Sequence, residues 1–157
     1  MAELGEEKTS MITDMSIRQL IQVLLGGLVI GAVVGGLTLL LSTYLFKVTP
    51  CVAETCSTGG QYSAILAGII GGAAGLFWLM RVQVFRPLLV VLAVTITLWG
   101  IALNVLNWPW YSVVLVSAGL HAVAYGFFAW ISRIRLFWVV VVLVILTIVG
   151  IRLILAS

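Results

Sequence analysis

The sequence predicts an all-α integral membrane protein: a compact bundle of five transmembrane helices, N-terminus cytoplasmic and C-terminus outside. Three observations predict it. Of the 157 residues, 63% are hydrophobic and 8% charged, with a mean hydropathy of +1.28, whereas a water-soluble domain carries about 25% charged residues. Too little polar surface is left to cover a globule in water. The apolar residues gather into long runs parted by short polar or basic turns, the pattern of successive membrane spans. Within two of those runs glycine recurs every fourth residue, which lays bare backbone along one helix face and suits close docking in lipid.

Residues 1–15 read as a polar cytoplasmic tail with Glu3, Glu6, Glu7, Lys8 and Asp14, and residues 16–157 as a single transmembrane domain. The acidic tail and the length of the first apolar run argue against a cleavable signal peptide. Ser16-Ile17-Arg18-Gln19 fits a capping box, so helix one is expected to start beside Ser16 and run to Phe46. About 30 residues would span roughly 45 Å, against a hydrocarbon core of about 30 Å. Arg18, Gln19 and Gln22 are therefore expected at the interface. Gly27, Gly31 and Gly35 form this helix's bare stripe, which Thr38 and Ser42 continue.

Residues 47–60 form the one sizeable polar loop, expected outside, and hold both cysteines, Cys51 and Cys56. Four residues separate them, which is not the spacing of a redox pair, so a local disulfide is expected. Helix two, Gln61 to Met80, carries Gly68, Gly72 and Gly75, and its glycines are expected to meet those of helix one backbone to backbone. The basic connection Arg81–Arg86 leads to Pro87, which removes no needed donor at a helix start. Helix three is expected to reach about Asn107. The aromatic turn Trp108-Pro109-Trp110-Tyr111 suits the headgroup level. Helix four runs to Ser132, a turn holds Arg133 and Arg135, and helix five runs from Leu136 to about Leu155. With no small-residue stripe and no polar face, helix five belongs at the periphery.

Orientation follows from the basic residues. With the N-terminus inside, Lys8, Arg18, Arg81, Arg86, Arg133 and Arg135 are cytoplasmic and only Lys47 and Arg152 are outside. The expected location is the plasma (cytoplasmic) membrane, as a multi-pass protein. These scattered basic residues are topology determinants rather than a nucleic-acid footprint.

The acidic residues argue against catalysis. Glu3, Glu6, Glu7, Asp14 and Glu54 all lie in the tail or the outer loop, so no carboxylate is placed at membrane depth for proton or metal chemistry. No metal and no cofactor is expected. The interior polar groups do fall on faces. Thr97 and Asn104 share one side of helix three, and Ser117, His121 and Tyr125 recur at fourth-residue steps on helix four, beside a small-residue stripe of Ala118, Ala122 and Gly126. These five polar residues are the candidate lining of a polar cavity, with His121 its titratable member. The sequence thus favours a non-enzymatic structural or accessory subunit, or a homo-oligomer, built by glycine-rich helix packing. Its partners would be membrane lipid and a membrane protein or a second copy. The alternatives are a small-solute or lipid transporter or channel using the polar face of helices three and four, and a thiol-handling enzyme resting on Cys51 and Cys56.

Overall fold

The computed structural model describes residues 16–45, 58–99, 108–134 and 136–156, with the backbone alone for 58–60 and 151–156. Among the described residues the fold has five helices: α1 (Ile17–Leu40), α2 (Thr58–Arg81), α3 (Pro87–Leu98), α4 (Trp110–Ile131) and α5 (Phe137–Ala156). Three of them, α1 with its extension, α2 and α4, are long and apolar enough to cross a membrane.

The capping box is present. The Ser16 hydroxyl accepts from the Gln19 amide at 3.2 Å, and the Gln19 side chain accepts from the Ser16 amide at 3.2 Å. At its far end α1 widens into one π-helical turn, Leu41–Leu45. There the Thr38 and Ser42 hydroxyls donate back to the carbonyls of Val34 and Leu39, bonds that compete with regular helix pairing. Helix α3 ends at Leu98, since Trp99 leaves the helical region at φ −56°, ψ 124°; the remainder of the span expected to reach about Asn107 lies outside the described residues. Asn107 and Asn104 lie outside the described residues.

Helices α1 to α4 close into a ring in which α1 touches α2 and α4, and α3 touches α2 and α4. The α1–α4 side is much the tightest. Contacts pair Gly26 with Trp78 and Gly71 with Val34 across α1–α2, and Gly27 with Ala122 and Gly35 with Val114 across α1–α4, so both neighbours run antiparallel to α1. Val23, Ile30, Val34, Ala67, Leu79, Val90, Val94, Tyr125 and Phe128 form one continuous core between them. The outward surface is equally apolar: Leu25, Leu28, Val33, Ile69, Leu92, Leu115 and Val123 are all exposed, as expected where the surroundings are lipid rather than water.

The glycine seam is not where the sequence suggested. A Cβ on Gly31 would lie 2.6 Å from the Ser117 carbonyl oxygen and 2.8 Å from the Ala118 Cα, and one on Gly27 would lie 3.0 Å from the Ala122 Cα. The stripe of α1 therefore docks on Ser117, Ala118 and Ala122 of α4, not on α2. Small residues on both faces let these two backbones touch. The glycines of α2 are divided among several neighbours instead. Gly71 receives Val34, Gly75 receives the Tyr125 hydroxyl, Gly72 faces Thr95 and Val91 at 3.7 Å, and Gly68 faces open space. Spacing marks a face that docks; it does not name the partner. Helix α5 lies at the edge, the peripheral place expected of it, chiefly against α3 and α4, where it buries Val140 and Val144.

In the α2–α3 connection, Gln83 and Arg86 adopt left-handed backbone, at φ 56° and 57°. Such a conformation costs an ordinary residue roughly 1 kcal/mol that glycine avoids. Gln83→Gly should accordingly raise the thermal unfolding midpoint in detergent, and Gln83→Val should lower it.

The seam makes a sharper prediction. Gly31→Leu must push α1 off α4 and should destabilise by about 3 kcal/mol, the upper range for overpacking. Gly68→Leu enters open space and sheds glycine's helix penalty, so it should not lower the unfolding midpoint. Equal tolerance of the two substitutions would mean that the α1–α4 contact is not close.

Candidate functional site

The ring of α1–α4 does not fill its own centre. A cavity of about 240 Å³ lies between the four helices, near the ends formed by Thr38, Gln61, Trp99 and Val113. That is room for roughly a dozen or more waters rather than one. It is elongated, because its wall on α4 runs from Val113 to Tyr125, or about 18 Å at 1.5 Å per residue.

Each helix presents a different wall. Helix α2 contributes Gln61, Ala64, Ile65 and the bare backbone of Gly68, Gly71 and Gly72. Helix α3 contributes Val94, Thr95 and Leu98. From α4, Ser117, His121 and Tyr125 line one side, because fourth-residue spacing on a helix stacks side chains on one face. Val34, Gly35 and Thr38 complete the ring from α1. Among the described residues, no Asp, Glu, Lys or Arg lines it.

The polar groups are held by specific bonds. Ser117 Oγ donates to the Gly31 carbonyl at 2.8 Å, across the seam. His121 Nδ1 lies 2.8 Å from the Ser117 carbonyl oxygen. A carbonyl can only accept, so Nδ1 carries the hydrogen, and Nε2 of the neutral ring is left as an acceptor. Thr38 Oγ1 donates to the Val34 carbonyl at 2.8 Å, and Thr95 Oγ1 to the Val91 carbonyl at 2.9 Å. Tyr125 is only 2% exposed, and its hydroxyl, lying over Gly75, makes no hydrogen bond among the described residues.

Of the residues singled out from the sequence, Ser117, His121 and Tyr125 come together on this wall, while Asn104 lies outside the described residues. Thr97 does not join them. It is 4% exposed, its Oγ1 donates to the Ala93 carbonyl at 2.7 Å, and it lies off the cavity wall. Thr95, two residues earlier and so about 200° round the helix, takes the place expected of it. Nothing in the sequence separates the two threonines, since each can bond a carbonyl one turn back. Thr38 and Gln61 were the other residues missed. Of the helix-packing glycines, Gly35, Gly68 and Gly72 border the cavity, whereas Gly27, Gly31 and Gly75 do not. Cys51 and Cys56 lie outside the described residues. Among the described residues, no three His, Cys, Asp or Glu side chains gather in a way that could hold a metal ion.

Compared with protein families, with characterised proteins and with solved structures, the chain matches none.

Proposed function

We propose that this chain is a five-span, multi-pass protein of the plasma membrane that holds or passes a small amphipathic ligand through the cavity inside its helix ring, without catalysis. One observation carries this reading: a cavity of about 240 Å³ walled by four helices and carrying the Ser117–His121–Tyr125 face along one side. Close packing is the rule in protein interiors, and hollows of this size are few. The seam points the same way. The α1 glycine stripe is covered by α4, so it is not left free to recruit a second copy, and the small-residue argument for an oligomer loses its main surface.

An accessory-subunit role is the second reading, and α5 favours it. Its Trp138, Val142, Ile145, Leu146 and Val149 all face outward at the edge of the ring, where a partner helix could lie as readily as lipid.

For orientation, Arg18, Arg81, Arg86 and Arg133 lie near the start of α1, the end of α2, the start of α3 and the end of α4. In an antiparallel ring these share one end, which supports placing that end in the cytoplasm. The guanidinium of Arg86 sits 4.8 Å from the Phe85 ring centroid and 5.1 Å from that of Phe137, an aromatic setting suited to the interface.

Two experiments test these proposals. In a background lacking Cys51 and Cys56, an impermeant thiol reagent on intact cells should label Ser157→Cys and spare Gln83→Cys; the reverse pattern would invert the protein. For the cavity, native mass spectrometry of the protein released from mild detergent should show a retained small molecule. Gly68→Leu, which grows into the cavity without touching the seam, should lose it. An unliganded wild type that co-purifies with a stoichiometric membrane protein would favour the subunit role instead.

A further inference from the structure

Resting on the cavity as a ligand site, we propose that its ligand is a neutral molecule bearing hydroxyl donors on an apolar skeleton. The cavity's free hydrogen-bonding capacity is lopsided. The Thr38, Thr95 and Ser117 hydroxyls have each given their hydrogen to a backbone carbonyl, so each oxygen can offer a ligand only a lone pair. His121 Nδ1 is committed to the Ser117 carbonyl, and Nε2 of the neutral ring likewise accepts. Against these acceptors, the donors on the described lining are the Tyr125 hydroxyl, the Gln61 amide and the Trp99 indole N–H. A ligand that only accepts, such as a ketone, ester or ether, would leave most of this wall unmatched. A ligand that donates would satisfy it.

Charge narrows the class further. A protonated amine is a donor, but among the described residues no carboxylate lines the cavity, and an unpaired cation at membrane depth is costly. An anion would meet lone pairs and, among the described residues, no Lys or Arg. The described lining therefore suits an uncharged occupant. The rest of the described lining is largely apolar, with Ile65, Val94, Leu98, Val113 and Leu120, so the ligand needs hydrocarbon beside its hydroxyls. A monoacylglycerol-like membrane lipid and a soluble polyol share this chemistry.

The probes are monodecanoylglycerol and propyl decanoate, which keeps the ester and chain but lacks both hydroxyls. Occupancy of the full chain is measured by native mass spectrometry across a titration of each. The wild type should take monodecanoylglycerol roughly tenfold more tightly, the scale of one or two hydrogen bonds. Thr95→Val keeps the side-chain shape and touches no interhelical bond, and it should narrow that preference several-fold. Gly68→Leu should abolish binding of both probes. Displacement of bound monodecanoylglycerol by free glycerol would support the hydroxyl preference and assign it to soluble polyols. A preference for monodecanoylglycerol that glycerol does not displace would support it equally and assign it to lipid. If both probes bind alike and Gly68→Leu blocks both, the hydroxyl preference is overturned while the cavity reading stands. If neither binds, or Gly68→Leu changes nothing, the cavity reading falls with it.

Discussion

The bundle depends on the approach of α1 to α4 at Gly31. In lipid, apolar area gives two helices little reason to associate, so contact between backbones and the few polar bonds across it must hold them. The absence of a side chain at Gly31 brings the Ser117 carbonyl and the Ala118 Cα within van der Waals reach of the α1 backbone. Only at that separation can Ser117 Oγ reach the Gly31 carbonyl. A bond of this kind contributes about 0.6 kcal/mol in a membrane, less than the packing around it, but it fixes register. The same residue then offers its own carbonyl to His121. Seam and site are thus not separate features: Ser117 ties the helices with its hydroxyl and orients the imidazole with its backbone.

That economy explains how the cavity is polar without being charged. A hydroxyl in hydrocarbon is costly unless its hydrogen is bonded, and the nearest acceptor on a helix is the carbonyl one turn back. Thr38 and Thr95 both take that solution. The result is a wall of oxygens already satisfied as donors, which needs no water to be stable and still offers lone pairs. Tyr125 is the exception. It reaches across the ring to lie over Gly75 of α2, and its hydroxyl makes no hydrogen bond among the described residues.

Much of this was legible in the sequence, and the parts that were not share a cause. The Ser16 cap, the proline start of α3 and the Ser117–His121–Tyr125 face all depend on residues within a turn or two of each other, and local spacing fixes them. The partner of the α1 stripe does not. Glycines at Gly27, Gly31 and Gly35 would serve equally well against α2 or α4. The choice lies in the opposing surface, where Ala118 and Ala122 are small while α2 is met by Val34 and Tyr125. Thr95 rather than Thr97 faces inward for the same kind of reason: a helix of Val, Leu, Ile and Thr has no polar stripe to set its rotation, so its neighbours set it. The burial of Val140 and Val144 on α5 was illegible likewise, because an all-apolar helix hides which side is buried.

The hollow itself follows from a mismatch around the ring. Helices α1 and α4 are matched, small face to small face, and close fully. Helix α2 is also glycine-rich, but its neighbours cover only part of that face: Val34 lies over Gly71 and Tyr125 over Gly75, while nothing reaches Gly68. A larger side chain there would meet no obstacle and would add dispersion contacts that an empty space forfeits. It would also remove the conformational penalty that glycine brings to a helix. Packing and propensity therefore both favour filling position 68, and the chain leaves it bare. A bundle under stability alone would close this space; one that must admit a second molecule into the cavity, whose lining includes Gly68 together with Ser117 and His121, would keep it open.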